Sequence, residues 1–194
     1  MNASVRQTIS RQRQELANNI AMSCALEIKN TVTNLPCYHH ASKIALYFPC
    51  GGEVDTSMII DDALARNKQV YLPILHHIHG CELLFAPYDE KTEFRPNQFD
   101  ILEPVVHSKQ LIKPKSLDLV ITPLLAFDEN CARIGMGCGY YDRSFAFLNK
   151  PGQWQHPKLV GVAYEFQKID DCMPSSWDVP LHMVVTENRL YKRP

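Results

Sequence analysis

Short apolar runs alternate with helix-like segments along most of the chain, and this alternation constrains the fold more than any other feature. The runs are bounded by proline or glycine and rich in β-branched and aromatic residues, which is typical of buried strands. They read KIALYFP, KQVYLPIL, CELLFAPY, SLDLVITPLLAFD, KLVGVAYEF and MVVTENRLY. Strands that alternate with helices predict an α/β fold, with a largely parallel sheet covered on both faces.

The intervening segments have apolar residues at helical spacing. The first thirty-odd residues predict one long amphipathic helix that ends before LPCYHH. DTSMIIDDALARN predicts a second helix with Asp55 or Thr56 as its N-cap, and YYDRSFAFLNK predicts a third. The stretch from residue 90 to 114 is rich in proline and predicts loops.

The length and the net charge of the chain limit the number of domains and the kinds of partner that we expect. The 194 residues fit one domain spanning residues 1–194, because domains usually contain about 100–200 residues. Twenty basic and twenty-one acidic side chains leave a net charge of −1, so no global field favours nucleic acid or a membrane surface as a partner. We therefore expect small-molecule substrates, a local anion site, and a monomer. Neither a signal peptide nor an apolar stretch of about 20 residues is recognisable, which favours the cytoplasm.

The cysteines and histidines do not indicate a metal centre. Seven cysteines without a C-x-x-C pair suit neither a disulfide framework nor a zinc cage, and predict reduced, mostly buried side chains. His76, His77 and His79 in HHIHG have no acidic or thiol partner at ligand spacing, so we expect no structural metal there.

The segment RIGMGCGYYD, residues 133–142, places a glycine-rich turn between a strand and a helix. Glycines allow the backbone to approach a ligand closely, and free N–H groups favour an anion. The glycines are Gly135, Gly137 and Gly139. A dinucleotide fingerprint would need its third glycine at position 140, where this chain has Tyr140, and a Walker loop would need Gly-Lys-Ser/Thr. A tight strand-to-helix connection without a ligand remains the alternative.

Two charged residues at the ends of this segment favour a nucleotide. Arg133 can grip a phosphate with two parallel hydrogen bonds. Asp142 would repel a bound polyphosphate unless a divalent cation lay between them, and Mg²⁺ is commonly held by one or two carboxylates and phosphate oxygens. The pattern therefore favours a nucleoside triphosphate with magnesium, with a helix cap as the alternative role of Asp142.

DLVITPLLAFDENCARIGMGCGYYDRSFAFL strongly resembles the signature of the 5-formyltetrahydrofolate cyclo-ligase family. LYFPCGGEVDT, KQVYLP, ILEP and MPSSWDVPLHMVVT resemble further landmarks of that family in the same order. The resemblance implies a three-layer α/β domain with a Rossmann-like, mostly parallel sheet flanked by helices. It also implies a ligase that uses ATP and Mg²⁺ to convert 5-formyltetrahydrofolate to 5,10-methenyltetrahydrofolate, releasing ADP and phosphate.

The same resemblance assigns roles to individual residues. Arg133 and Asp142 would be catalytic, and magnesium would be bound by Asp142 and Asp178. ATP would contact Arg6, Arg133, Ile134, Gly135, Met136, Gly137, Cys138, Gly139, Tyr140 and Tyr141. The folate substrate would contact Phe48, Glu53, Met136, Gly137, Cys138, Gly139 and Tyr140.

One position departs from the family pattern. A lysine or arginine usually lies four residues before the arginine that corresponds to Arg6, and this chain has Asn2. Either the nucleotide contact is weaker or Arg11 or Arg13 substitutes, although the residues themselves predict that both arginines are solvated. Considered without the resemblance, Glu53 would be a carboxylate of the first turn of a helix.

Other side chains also have alternative roles. Tyr140 and Tyr141 could stack on a ligand ring or pack the helix on the sheet, and Trp177 favours packing.

The implied chemistry needs no nucleophile from the protein, because ATP would phosphorylate the formyl oxygen to an iminium phosphate that nitrogen 10 then attacks. No Ser-His-Asp or Cys-His signature is recognisable, which agrees with this. Two other hypotheses are a sugar-phosphate isomerase or acyl-CoA transferase on a similar fold, and a module that binds ATP without turnover. The former would be independent of nucleotide.

Overall fold

The computed structural model describes residues 2–76, 82–97, 101–150 and 156–194, without the side chains of Asn2, Ala3 and His76. Its main sheet has seven strands in the order β11-β10-β9-β6-β1-β2-β3. These are β1 (Lys43–Ala45), β2 (Gln69–His76), β3 (Glu82–Tyr88), β6 (Leu119–Thr122), β9 (Lys158–Val162), β10 (Met183–Val185) and β11 (Leu190–Lys192). Two small hairpins join β4 (Phe94–Pro96) to β5 (Leu102–Pro104) and β7 (Ala126–Phe127) to β8 (Arg133–Ile134).

The pairings confirm the predicted, mostly parallel sheet. From β10 through β9, β6 and β1 to β2 every pairing is parallel, and only the edge strands β3 and β11 are antiparallel. The prediction of a single last strand was wrong, because MVVTENRLY forms the hairpin of β10 and β11. Thr186 accepts hydrogen bonds from the backbone N–H groups of Asn188 and Arg189, so its hydroxyl stabilises the turn.

Successive strand residues serve two different cores, as the period of a strand requires. One face of the sheet packs on α2 (Asn18–Thr33), α3 (Pro36–His40) and α4 (Ser57–Ala65) through side chains such as those of Ile44, Leu119, Ile121 and Val160. The other face packs on α5 (Tyr140–Phe145) and its flanking turns through Ala45, Val120, Leu159 and Val184. Helical elements therefore cover both faces.

The N-terminal segment differs from the prediction, because it forms two helices, α1 (Asn2–Glu15) and α2, instead of one. The chain turns at Ala17, whose backbone is extended with φ −61° and ψ 137°. The physical reason is that the two helices bury their apolar side chains in different places. Ile9 of α1 packs with Leu125 and Ile134 beside the small β7–β8 hairpin, whereas Ile28 of α2 packs on the main sheet.

The strand β1 is also shorter than its apolar sequence predicts. The chain leaves the sheet after Ala45, although Leu46 and Tyr47 stay buried and the Leu46 N–H still donates to the Tyr71 carbonyl at 3.0 Å. The segment that follows runs across the carboxyl ends of β1 and β2. This end of an open α/β sheet is where ligands bind.

Of the cysteines that the structure describes, only Cys131 and Cys172 are buried, and all six are free thiols. The prediction of reduced cysteines agrees with this. The prediction that they are mostly buried was wrong: Cys50 and Cys138 are exposed because they lie in glycine-containing loops at the sheet end. None of the described helices is long and apolar enough to cross a membrane.

Candidate active site

Two cavities lie on either side of the glycine loop, residues 135–139. The first, here called the polar cavity, has a volume of about 490 Å³. It is lined by Arg6, Arg133, Ile134, Gly135, Gly137, Cys138, Gly139, Asp142, Arg143, Ala146, Cys172, Met173, Ser175, Trp177 and Asp178. The second, the apolar cavity, has a volume of about 430 Å³. It is lined by Tyr47, Phe48, Cys50, Glu53, Leu72, Pro73, Leu75, Leu83, Asn97, Ile101, Leu102, Glu103, Pro123, Leu124, Arg133, Gly135, Met136, Cys138, Gly139, Tyr140, Tyr141 and Asp142.

The loop follows the small β7–β8 hairpin and leads into α5. The strand before the glycine-rich turn is therefore the short β8, which none of the predicted strand runs includes. Gly137 has φ +103°, a conformation that L side chains rarely adopt, and a Cβ there would lie 3.3 Å from Nη1 of Arg6. The same Nη1 donates to the Gly135 carbonyl at 2.6 Å, and Arg143 donates to the Cys138 carbonyl. Two arginines thus fix the shape of the loop through its carbonyl groups.

Arg133 and Asp142 face each other where the two cavities meet. Nη2 of Arg133 lies 2.7 Å from Oδ1 of Asp142, and Nη1 donates to the Val179 carbonyl. The same Oδ1 accepts a hydrogen bond from the Val179 N–H at 3.1 Å. Asp142 therefore ties the loop to the segment after Asp178, and its carboxylate makes these contacts instead of capping α5, whose N-cap residue is Gly139.

Asp178 reaches the polar cavity from the other side. Its Oδ2 accepts a hydrogen bond from the Ser175 N–H at 2.8 Å. One oxygen of Asp142 and one of Asp178 are not used by these hydrogen bonds, so two hard carboxylate donors remain available to a cation. Among the residues described, no group of three or more His, Cys, Asp or Glu side chains could hold a metal by itself. This donor set fits Mg²⁺ with most of its ligands coming from phosphate and water.

The apolar cavity forms at the carboxyl ends of β1, β2 and β6. Leu72 and Leu75 line it from β2, and Pro123 lines it from the residue after β6. Phe48 packs its ring at 5.8 Å from that of Tyr88 and at 5.2 Å from that of Phe94. These contacts fix the Phe48 ring as one wall of a mostly hydrophobic cavity of the kind that binds flat organic molecules.

Tyr140 and Tyr141 both line the apolar cavity, and so does Met136, which is exposed. The Tyr141 ring stacks on Phe145 with centroids 6.1 Å apart. Burial, reinforced by the charge of Glu53, raises the pKa of Tyr141 well above its usual value, so its hydroxyl stays protonated. Tyr141 therefore packs on Phe145 of its own helix and also lines the cavity, and its stacking on a ligand ring stays a prediction.

Glu53 is a largely buried carboxylate in the lining of the apolar cavity. Its side chain is 10% exposed, and Oε2 accepts a hydrogen bond from the Cys50 N–H at 3.1 Å. Burial raises its pKa, while the Cys50 N–H and Arg13 oppose that rise. The alternative role in the first turn of a helix is wrong, because α4 begins only at Ser57.

The expectation that Arg13 is solvated was also wrong. Its side chain is 1% exposed, and Nη1 lies 3.9 Å from Oε1 of Glu53. Gly52 makes this possible, because a Cβ there would lie 2.7 Å from the Arg13 carbonyl oxygen. Arg11 is exposed as predicted and lies 3.8 Å from Glu15. The helical spacing of α1 did not distinguish the two arginines, and only the glycine pair opposite Arg13 could have hinted at close packing.

One further residue of the apolar cavity was not predicted from the sequence. Glu103 lines the apolar cavity, and its Oε1 accepts hydrogen bonds from the Leu75 N–H and the Asn97 side chain, both at 2.8 Å. It thereby holds the β4–β5 hairpin against β2. Trp177, for which packing was favoured, is 71% exposed at the polar cavity. His77 and His79 lie outside the described residues, as does the side chain of His76.

The comparisons with known proteins point to one family. The sequence model of the 5-formyltetrahydrofolate cyclo-ligase family matches residues 1–187. The 5-formyltetrahydrofolate cyclo-ligase of Haemophilus influenzae is 36% identical over 187 residues, 93% of this chain and 97% of that protein. The enzyme of the same name from Escherichia coli K12 is 36% identical over 154 residues, 78% of this chain and 81% of that protein.

A solved structure extends the comparison to three dimensions. The NMR structure of Aquifex aeolicus 5,10-methenyltetrahydrofolate synthetase superposes with a TM-score of 0.79 and 28% sequence identity. The match covers 98% of this chain and 91% of that one. Sequence and fold therefore agree over nearly the whole chain, and the protein belongs to the 5-formyltetrahydrofolate cyclo-ligase family.

Proposed function

We propose that this ligase converts 5-formyltetrahydrofolate to 5,10-methenyltetrahydrofolate at the expense of ATP, with Mg²⁺ as cofactor, ADP and phosphate as further products, and an iminium phosphate as intermediate. Family membership supports the folate conversion. In this proposal the polar cavity binds the triphosphate and the apolar cavity binds the reduced folate.

One observation carries the proposal: the two cavities share a wall. Five residues line both of them, namely Arg133, Gly135, Cys138, Gly139 and Asp142. A phosphoryl group transferred from one cavity to the other would pass this wall, which holds a guanidinium and backbone N–H groups. Transfer of this kind depends on positioning and on neutralising charge, for which these groups are suited.

The polar cavity offers the groups that a triphosphate needs. Three positively charged side chains line it, those of Arg6, Arg133 and Arg143. Arg6 and Arg143 also donate hydrogen bonds to the loop carbonyls of Gly135 and Cys138, respectively. Asp142 and Asp178 would hold Mg²⁺, which would neutralise charge on the transferred phosphoryl group. Ile134 and Gly137 line the same cavity, which supports their proposed nucleotide contacts. Of the other residues predicted to contact ATP, Met136, Tyr140 and Tyr141 line the apolar cavity and not this one.

The apolar cavity supports the folate assignment. Phe48 and Tyr140 offer flat apolar contacts, and Glu53 can accept hydrogen bonds from the amino and ring N–H groups of the pterin. With the pterin held, the formyl oxygen attacks the γ-phosphorus and ADP leaves. Nitrogen 10 of the same substrate then attacks the activated carbon, loses its proton, and phosphate leaves as the ring closes.

The direct test mixes the protein with 5-formyltetrahydrofolate and Mg-ATP and follows the near-ultraviolet absorbance of the conjugated methenyl product. We expect the band to grow only when nucleotide and metal are both present. Asp178→Asn should reduce turnover, whereas Asp170→Asn, which changes an exposed carboxylate outside both cavities, should not.

The possible outcomes separate the hypotheses. A folded protein that produces no methenyl band would contradict the proposal, and ATP binding without any turnover would favour the nucleotide-sensing module instead. Activity on a sugar phosphate or an acyl-CoA without nucleotide would favour the other enzyme classes. The cytoplasmic location, the single domain and the monomeric state stay predictions.

A further inference from the structure

Arg13 occupies an unusual environment for a charged side chain. It is buried, it lines neither cavity, and its Nη1 makes one long hydrogen bond, 3.4 Å, to the Leu124 carbonyl. Within the described part of the chain, Nε and Nη2 of Arg13 have no hydrogen-bond partner. Burying a charge in this way is unfavourable unless a nearby opposite charge compensates for it, and Glu53 is the carboxylate at 3.9 Å.

The environment of Glu53 is also unfavourable for a charged side chain. It lies in a cavity whose walls are mainly aliphatic and aromatic, and its Oε2 accepts one backbone hydrogen bond from Cys50. An apolar environment favours the neutral form of a carboxyl group. A protonated carboxyl group would present a donor where the pterin amino and ring N–H groups also present donors. The folate site proposed above therefore needs a charge that keeps Glu53 ionised.

We propose that Arg13 is a positioning residue for the folate substrate: from behind the cavity wall it holds Glu53 as an oriented carboxylate that receives the pterin N–H groups. This inference rests on the proposed function of the apolar cavity. It assigns to Arg13 an effect on folate affinity without contact between Arg13 and either substrate.

The position of Arg13 on α1 supports this role. Seven residues, or about two helical turns, separate it from Arg6, so both side chains leave nearly the same face of the helix. Arg6 reaches the Gly135 carbonyl at the polar cavity, and Arg13 reaches Glu53 at the apolar cavity. The backbone of α1 approaches Gly52 closely at Arg13 itself.

The test measures binding of 5-formyltetrahydrofolate by calorimetry, without ATP, from about pH 6 to about pH 9, a range that spans the pKa of a strongly raised carboxyl group. For the unaltered protein we expect affinity that changes little over this range. For Arg13→Met we expect affinity to fall about tenfold to a hundredfold at the acidic end and to recover towards pH 9, because Glu53 then ionises without help. Arg13→Lys keeps the charge and should keep the flat profile.

Two controls separate this role from a structural one. Arg11→Met removes an exposed arginine from the same helix and should leave both affinity and profile unchanged. Glu53→Gln should bind weakly at every pH, and Arg13→Met added to it should cause no further loss, because the carboxylate that Arg13 serves is already gone. If Arg13→Met does not fold, as judged by circular dichroism, Arg13→Gln takes its place in both comparisons.

The outcomes are distinguishable from a failure of the proposed function. If the unaltered protein does not bind 5-formyltetrahydrofolate, the folate assignment itself is wrong. If it binds and Arg13→Met or Arg13→Gln weakens binding equally at all pH values, Arg13 is merely structural and the inference is overturned. Unchanged binding in the folded variant would overturn it as well.

Discussion

The polar and apolar cavities adjoin one another, but their charged side chains differ in exposure and in the distance between opposite charges. In the polar cavity Arg133 and Asp142 are in direct contact at 2.7 Å, and the Asp142 side chain remains 24% exposed. In the apolar cavity Glu53 is 10% exposed and its arginine lies at 3.9 Å behind the wall. The first arrangement suits ions that exchange with solvent, and the second suits one fixed acceptor in a dry environment.

This difference predicts which changes weaken ligand binding in each cavity. The polar cavity works through several charged groups that bind a charged ligand, so its ligand affinity should depend on metal and salt. The apolar cavity works through shape and a single carboxylate, so its ligand affinity should depend on volume and on the protonation of Glu53. Five predictions, in decreasing order of effect, test this contrast.

Loss of metal binding should have the largest effect. Asp142→Asn removes one proposed magnesium ligand, and we expect turnover to fall about a hundredfold to a thousandfold, comparable to the loss of a transition-state charge contact. Chelation of divalent metal should abolish turnover in the unaltered protein. Folate binding, measured by calorimetry, should stay within about twofold after chelation if the cavities are functionally separate. Equal loss of folate affinity would show that they are not.

Replacing the buried acceptor should have the next largest effect. Glu53→Gln should raise the KM for 5-formyltetrahydrofolate about tenfold to a hundredfold, because a hydrogen bond to a charged group is worth about 1.5–3 kcal/mol. The KM for ATP should not change. An equal rise in both KM values would contradict the division between the cavities.

The pH dependence of this acceptor has a defined sign. Since burial raises the pKa of Glu53, the ionised form is lost as the pH falls; in the unaltered protein folate affinity should therefore decrease only below the range of about pH 6 to about pH 9 over which Arg13 keeps Glu53 ionised, and never towards alkali. Glu53→Gln should remove that dependence. Calorimetric titrations of the two proteins at matched pH values compare them directly.

A change in the loop backbone should be smaller. Gly137→Ala places a side chain where φ is +103° and where a Cβ lies 3.3 Å from Arg6. Strain of this kind costs about 1–3 kcal/mol, so we expect the KM for ATP to rise about tenfold. Gly135→Ala is the matched control, because nothing lies within 4 Å of a Cβ at Gly135. Similar effects of both changes would mean that the conformation of Gly137 is not what matters.

Trimming the wall of the apolar cavity should have the smallest effect. Phe48→Leu removes ring contacts with Tyr88 and Phe94, which are worth about 0.5–1.5 kcal/mol for an aromatic pair. We expect the KM for folate to rise about threefold to tenfold and the KM for ATP to stay constant. Steady-state kinetics with each substrate varied in turn decide this; a change in the ATP value alone would reverse the assignment of the cavities.

The glycine loop and the strands could be predicted from the sequence because their signals are local. Gly135, Gly137 and Gly139 lie within five residues of one another, and the period of apolar residues in β2 and β9 indicates strands wherever they end up in the sheet. Even there, boundaries depended on context. The residues after Ala45 are as apolar as a strand, yet they leave the sheet because they line the cavity at its carboxyl end.

By itself, then, the sequence determined the parallel α/β architecture, the family and the glycine loop between two charged residues. Each of these depends on residues that are neighbours in the chain or that recur with a regular period. Only the tertiary structure decided that Arg13 is buried while Arg11 is solvated, that the N-terminal helix breaks at Ala17, and that Glu53 lies in an apolar cavity. Each of these depends on contacts between segments far apart in the chain, such as α1 against Gly52, and burial at such contacts has no signature in either segment alone.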